Sequence, residues 1–405
     1  MGSLTDQTPQ RDATASELEQ YEQAPALVGQ QLDTNNTFNS SNPHHKLFFV
    51  SFDGTRNTRN SSDHDYVRTN PDLLEEMVPR DLKNVASRYF AGPGTDFKND
   101  TSFERLLDAA NGDSCAATAK AAYETFVTQV RGWRAEDPKA EIHVSMAGFS
   151  RGSATAREFA NLVHEKGIPT ADGNGYLIPP GEVHQDVLLL YDTVATGQET
   201  VLNLDIPPDL QVVHLTANDE NRYFFPLSSV KDPFNLADKG IIEVGFAGAH
   251  SDIGGGIEYG GLSARTLELG HYVLGLMGVP LDPIPEPYRV DLDKITVHDS
   301  GDIFNLSSVE DFLAAWGNVE VGDRKILYAS NPNRRSPEQQ AAAEAAEAAA
   351  RLKAAQEWVK VQQEAEARTA SVEAYGSLNQ FIQAVEDGDA VEIARTYAHY
   401  ITAQE

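Results

Sequence analysis

The sequence predicts an α/β protein: a mostly parallel central sheet with helices on both faces, followed by a helical C-terminal extension. Three observations carry this. Short β-rich apolar runs alternate with helix-like segments, each run ends in polar or glycine-containing residues, and an alanine-rich stretch without glycine follows Asn331. Strand–helix alternation is how parallel sheets are built, and functional groups collect at the carboxyl ends of their strands.

Residues 1–45 are rich in Gln, Asn, Thr, Ser and Asp with few large apolar side chains, a composition that predicts a flexible tail. Order is expected from KLFFVSFDGTRNTRN, where Leu47, Phe48, Phe49 and Val50 form a buried-strand run ending in Asp53, Gly54 and Thr55. The form recurs in EIHVSMAG (141–148), DVLLLYDTV (186–194), LQVVHLTAND (210–219) and IIEVGFAGAH (241–250). Between them, Ala116–Arg134 and Ser153–Glu165 return apolar residues every three or four positions, as helices do. After Asn331, PNRRSPEQQAAAEAAEAAARLKAAQEWVK reads as one long helix, with Ser336 as N-cap and Pro337 as first helical residue. It either packs on the main domain or projects as a solvated spacer, and SLNQFIQAVEDGDAVEIARTYAHYI adds a last amphipathic helix. The organisation is thus a tail at 1–45, a catalytic domain at 46–330 and a helical extension at 331–405.

A formal charge of −29, from 61 acidic and 32 basic residues, repels polyanions, so nucleic acid is excluded as a partner. A lone cysteine, Cys115, excludes an intramolecular disulfide and reads as a small buried residue. No basic segment precedes an apolar run at the N-terminus, and no stretch approaches the roughly 20 apolar residues that span a bilayer. The expectation is synthesis in the cytoplasm without a cleaved signal peptide and no transmembrane segment.

The motif GFSRG places Ser150 between a predicted strand and a predicted helix. In such an elbow the nucleophile takes strained backbone angles and its neighbours two before and two after approach closely, so glycine is wanted at both, here Gly148 and Gly152. A serine hydroxyl needs a base, and the base an orienting acid. In chain order serine, acid, histidine, Asp192 of LLLYDTV leads for the acid, with Asp219 of TANDENR in reserve. Five histidines follow. His214 lies within an apolar strand, His271 and His399 in helix-like stretches. His250 of FAGAHSDIGGG ends a strand and leads, with His298 second. The oxyanion hole calls for backbone N–H groups, from Arg151 after the nucleophile and from Gly54 or Thr55 in the early loop. Asp53 is read as a tie between loops, since a carboxylate facing an oxyanion opposes catalysis. A competing reading takes Asp53, His250 and Asp252 as metal ligands, which leaves the glycine elbow without purpose. The glycines at 254–256 lack a phosphate-loop pattern and suit a tight turn.

The stretches SFDGTRN, AGPGTD at 91–96, AGFSRGSATAR, YDTV, HLTANDENRYFFP and GFAGAHSDIGGG, in this order, resemble the DUF2235 α/β-hydrolase family, which includes the Tle1-type phospholipase effectors of type VI secretion systems. The resemblance covers roughly residues 47–300. It implies an α/β-hydrolase-like fold with Ser150, Asp192 and His250 as nucleophile, acid and base. It further implies phospholipase A-type cleavage of glycerophospholipid acyl esters without a required cofactor, although the many loop carboxylates leave room for a structural Ca²⁺. Delivery by a VgrG-type spike to the envelope of a target cell, and a cognate immunity protein, follow from the same resemblance. The chain departs from the pattern at Arg56, where the family often has tryptophan, and longer members carry a membrane-associating domain that 405 residues hardly allow. NRYFFPLSS (221–229) and GYLIPPGEV (175–183) are candidates for touching acyl chains. A soluble-ester carboxylesterase would share every catalytic residue. The reading from another class is a non-enzymatic interaction protein on a hydrolase shell.

Overall fold

Six β-rich runs pair side by side into one sheet: β1 (His45–Phe52), β2 (Val85–Phe90), β3 (Glu141–Phe149), β4 (His184–Tyr191), β5 (Gln211–Ala217) and β6 (Ile241–Phe246). Their spatial order is β6-β5-β4-β3-β1-β2, and every neighbouring pair is parallel. The computed structural model describes residues 10–59, 67–95, 113–196, 198, 201–220, 222, 225–231, 240–300, 324 and 326–328. By its contacts the chain divides into two compact units, Met1–Asn331 and Pro332–Glu405. The second unit, with both expected C-terminal helices and His399, lies outside the described residues.

Both faces of the sheet are buried, which is why its strands read as continuous apolar runs rather than alternating ones. Successive residues of β1 serve opposite cores: Leu47 and Phe49 join one cluster, Phe48, Val50 and Phe52 the other. Helices α3 (Asp113–Glu136) and α4 (Arg151–Lys166) fill the second face, with Phe126, Val130, Phe159 and Val163 in its cluster. The first face is covered by α1 (Ala15–Gly29), α2 (Asn70–Glu76) and α6 (Leu262–Leu276). A short helix, α5 (His250–Gly254), follows β6.

Strands β3 to β6 are laid down in one direction from β1 and β2 in the other, so the order reverses between β1 and β3. Register aligns Phe52 with Gly148 and Phe149 with Tyr191, bringing the loops after β1, β3 and β4 out at one level. This is the crevice in which doubly wound sheets place their sites.

Three differences from the sequence reading stand out. Residues 10–44 are not a loose tail. Thr14 and Glu17 form a capping box, Tyr21, Ala24 and Val28 recur along one face of α1, and all three are buried against the sheet. Five buried apolar or aromatic groups (with Leu32 and Phe38) suffice to seat a segment that composition alone marks as polar. Second, β2 reads VASRYF, with Arg88 exposed at the sheet edge and too few apolar residues to signal a strand. Third, GYLIPPGEV follows α4 and leads into the start of β4, at the edge opposite the carboxyl ends. Its exposed Tyr176 and Leu177 therefore lie away from Ser150 and cannot touch an acyl chain held there.

Candidate active site

Ser150 joins β3 to α4 with φ 57° and ψ −127°, a conformation that L residues rarely adopt and that persists only when surroundings enforce it. Those surroundings are tight. A Cβ on Gly148 would sit 2.7 Å from Gly152 O, and one on Gly152 2.3 Å from Phe52 O, so neither elbow glycine can carry a side chain. Ser150 N–H donates to Tyr191 O at 3.0 Å, fixing the elbow to the end of β4.

Asp192 follows β4 directly, with φ 43° and its N–H donating to Leu215 O at 2.7 Å. Its carboxylate is fully buried and fully engaged. Oδ1 accepts from Ala217 N–H at 2.9 Å and from Arg324 Nη1 at 2.6 Å, while Oδ2 accepts from Arg324 Nη2 at 2.8 Å. Oδ2 also faces His250 Nδ1 at 2.5 Å. Burial raises the Asp192 carboxyl, but the Arg324 charge and the His250 hydrogen bond outweigh it and hold the group well below the usual carboxylate range.

His250 opens α5, and its ring lies between Phe149, the residue before Ser150, at 4.5 Å and Phe225 at 5.0 Å between centroids. Burial lowers its basicity, the Asp192 hydrogen bond raises it, and the net direction is downward. Its Nε2 is buried and has no hydrogen-bond partner among the described residues. With Nδ1 turned to a carboxylate, Nε2 carries the lone pair of the neutral ring. The loop is held from behind. Glu220, kept down at about 2 despite burial by Arg222, accepts from His250 N–H at 3.3 Å and from Ser300 Oγ at 2.9 Å.

The reserve candidates have other employment. Asp219 accepts from Gly248 N–H at 2.6 Å and ties the end of β5 to the histidine loop. His298 pairs with Asp252 at 2.8 Å. His214 faces Glu243 through Nδ1 and accepts Thr193 N–H at Nε2, using both nitrogens as a core histidine. His271 bonds Asp282 O.

The oxyanion loop is where the geometry departs from the expectation. Gly54 N–H donates to Asp53 Oδ1 at 2.7 Å, so this amide is committed and Gly54 drops out as a donor. The loop is nevertheless against the nucleophile: a Cβ on Gly54 would stand 3.2 Å from Ser150 Cβ. Arg151 Nη1 donates to Thr55 Oγ1 at 2.8 Å, joining the first turn of α4 to this loop. Asp53 is the loop tie expected of it, accepting also from Thr69 Oγ1 at 2.8 Å and Tyr89 Oη at 2.6 Å. Burial pushes its carboxyl up to about 7 against those three hydrogen bonds.

The residues of the metal reading do not form one cluster. Asp53 and Asp252 spend their oxygens on protein donors, and His250 faces Asp192. Among the described residues one group has metal-ligand composition, His45, Glu141 and His143, at the opposite ends of the strands. There the His45 and His143 rings stack at 4.5 Å with 26° between planes, and Asn39 N–H already occupies His45 Nδ1. His45 Nε2 stands 3.4 Å from one Glu141 carboxylate oxygen and His143 Nε2 3.9 Å from the other.

Two largely buried arginines beside the site had no signal in the sequence. Arg324 stands in no recognisable motif. Arg157, inside α4, is fully buried and donates to Ser228 O at 3.0 Å and to Leu204 O, pinning two loops behind the elbow while burial lowers it to about 10.

No curated protein matches the chain. Among solved structures, an uncharacterized protein from Pseudomonas aeruginosa is similar at 19% identity and TM-score 0.42, over 69% of this chain and 51% of that one. The Tle1 effector, in a structure bound to the VgrG spike of the type 6 secretion system, is similar at 23% identity and TM-score 0.38, over 53% and 52%. An α/β serine hydrolase without a lid, from Xanthomonas campestris, is similar at 13% identity and TM-score 0.29, over 62% and 88%. The chain spans about half the length of the first two. The family model described as T6SS, Phospholipase effector Tle1-like, catalytic domain, matches residues 46–185, a stretch that ends before Asp192 and His250. Residues 46–185, which carry Asp53, Ser150 and both elbow glycines, are thereby matched to the catalytic domain of the Tle1-like phospholipase effectors of type VI secretion, the family its motifs resemble.

Proposed function

We propose that the protein is a serine hydrolase of phospholipase A type, cleaving acyl esters of glycerophospholipids through Ser150, His250 and Asp192. One observation carries this reading: the His250 Nδ1 edge is fixed on a buried carboxylate while Nε2 is left buried and without a partner among the described residues, on a ring packed against the neighbour of Ser150. Nε2 takes the Ser150 proton as Oγ attacks the ester carbonyl. Asp192 keeps the ring in the correct tautomer and stabilises the imidazolium. The carbonyl oxygen becomes an oxyanion held by the Arg151 and Thr55 amides, a contribution of about 3 kcal/mol per donor in comparable sites. His250 then returns the proton to the leaving alcohol, and water, activated in the same way, releases the fatty acid. These steps use protein groups and water alone. Phe225, beside His250, is the described apolar group that favours an acyl chain at this point.

The family match supports the setting: an effector without a transmembrane helix among the described residues, carried by a VgrG-type spike to the envelope of a target cell and countered in its producer by an immunity protein. The charge of −29 opposes adsorption to anionic bilayers and favours zwitterionic headgroups.

The test is release of labelled fatty acid from phosphatidylcholine vesicles and from a short soluble ester, wild type beside Ser150→Ala. Serine-dependent release from vesicles, with acyl position labelled, supports the phospholipase and assigns its sn preference. Release from the soluble ester alone makes the protein a carboxylesterase, and release from neither removes the enzymatic reading in favour of an interaction protein.

A further inference from the structure

The triad reaction as written has no use for Arg324, yet its guanidinium is embedded in the site. The side chain is 9% exposed. It grips Asp192 as a bidentate fork, one nitrogen to each oxygen, and donates as well to Ala217 O at 3.1 Å and Phe225 O at 2.8 Å. Two residues further on, Ile326–Tyr328 adds as a parallel strand to Leu227–Ser229. A single cation therefore joins the ends of β4 and β5, the loop whose Phe225 touches the His250 ring, and the acid that orients that ring.

We propose that Arg324 is a positioning residue of the triad: it fixes both oxygens of Asp192, offsets part of their charge, and so makes the orientation of His250 depend on the seating of Arg324 and of the strand Ile326–Tyr328 beside the site. The inference rests on the triad reading above. Geometry carries the first half. Asp192 receives one backbone N–H and two guanidinium N–H groups besides the imidazole, so the carboxylate cannot rotate without breaking a fork whose planarity only arginine supplies. Charge carries the second. With Arg324 present, Asp192 and neutral His250 form a site of zero net charge, and protonating His250 makes it +1. Without Arg324 the same site goes from −1 to zero, which binds the proton more tightly. The other charged groups facing His250 are Glu220, which accepts its N–H, and Arg222, which pairs with Glu220 and cancels it. Phe149 and Phe225 pack against the ring without charge.

The experiment follows the rate at which a fluorophosphonate labels Ser150 as a function of pH, together with kcat and KM on a soluble ester, in the full chain. For Arg324→Gln, which removes the charge, the acid limb of the labelling profile is expected to move to higher pH by about one unit or more. For Arg324→Lys, which keeps charge and loses the fork, the limb is expected within a few tenths of wild type while kcat falls about tenfold with KM little changed. Arg324→Gln superimposing on wild type in a folded protein overturns the inference. If Arg324→Gln melts below assay temperature, Arg324→Lys decides: kcat within twofold of wild type overturns the positioning role. A wild type that does not label at Ser150 overturns the triad reading itself, which is a different result from coinciding profiles.

Discussion

The turn after β6 contributes one member, His250 or Asp252, to each of two buried histidine–aspartate pairs, and they are set up in opposite ways. His250 faces Asp192 at 2.5 Å and His298 faces Asp252 at 2.8 Å, so neither distance distinguishes them. Their surroundings do. Asp192 carries the Arg324 fork and is held low, and His250, fully buried, is lowered as well. Among the described residues Asp252 has no such cation: it accepts the Ala249 and His298 amides, burial drives it up, and its hydrogen bond to His298 raises that imidazole in spite of desolvation. The first pair leaves His250 Nε2 buried and without a partner among the described residues, on a ring packed against Phe149, the neighbour of Ser150. The second is a proton-holding clasp that fastens the His250 turn to the strand Thr296–His298. The two His–Asp contacts differ not in distance but in the partner and the charge around them.

The strongest way to break this comparison is to exchange the damage. Asp192→Asn is expected to cut kcat by about 10⁴, because the amide stabilises the wrong imidazole tautomer. Asp252→Asn, which disturbs only the clasp, is expected to cost less than about tenfold in kcat and to show its effect as a lowered Tm. Steady-state kinetics and thermal melts on both variants check this. A mild effect of Asp192→Asn would return the acid to Asp219, which the geometry places on Gly248 N–H instead.

A smaller effect separates the pairs by pH. The folded His298 is raised above its ordinary value, so its pair stabilises the protein fully at pH below about 6.5 and loses that contribution as pH rises through the raised value. Asp252 and Asp53 are also raised, Asp53 to about 7, and by the same sign their contributions fall as pH climbs from about 4. The lowered His250 works in the other direction, its contribution growing as pH rises from its folded value toward about 6.5, so the raised groups are read by difference, in denaturant unfolding of each variant against wild type between pH 5 and 8. Relative to wild type, the stability deficit of His298→Gln should shrink as pH rises above about 6.5, and that of Asp53→Asn should shrink as pH rises toward about 7.

Much of the site was legible because its members sit where parallel sheets end. Asp53, Ser150, Asp192 and His250 each close an apolar run, and Asp192 leads over Asp219, which the same chain order admits, because it ends the next strong strand after the serine. What could not be read are relations that pass through space without a local pattern. Arg324 reaches Asp192 from 132 residues away. The Gly54 amide is consumed by its own neighbour Asp53, a matter of loop conformation that residue types do not encode. Helix α1 hides a three-residue apolar stripe in a polar composition, which the averaging that predicts disorder erases.

That helix supplies the smallest and most local test of how the histidine loop is supported. Tyr21 stacks on Phe246 at 4.6 Å between centroids and its Oη–H donates to Ala247 O at 2.6 Å, three residues before His250. Gln20 Nε2 donates to Gly245 O at 2.7 Å beside it. The N-terminal segment thus braces the β6 end from which His250 departs, whereas the His298 clasp braces the far side of the same turn. Tyr21→Phe removes one buried hydrogen bond and keeps the ring, so it should cost about 1 kcal/mol of stability with kcat reduced no more than about threefold. Tyr21→Ala also opens a cavity at the brace and should cost several-fold more stability than Tyr21→Phe. If kcat falls in step with that larger loss while Asp252→Asn leaves it nearly intact, orientation of His250 depends on the β6 side of the turn and not on the clasp.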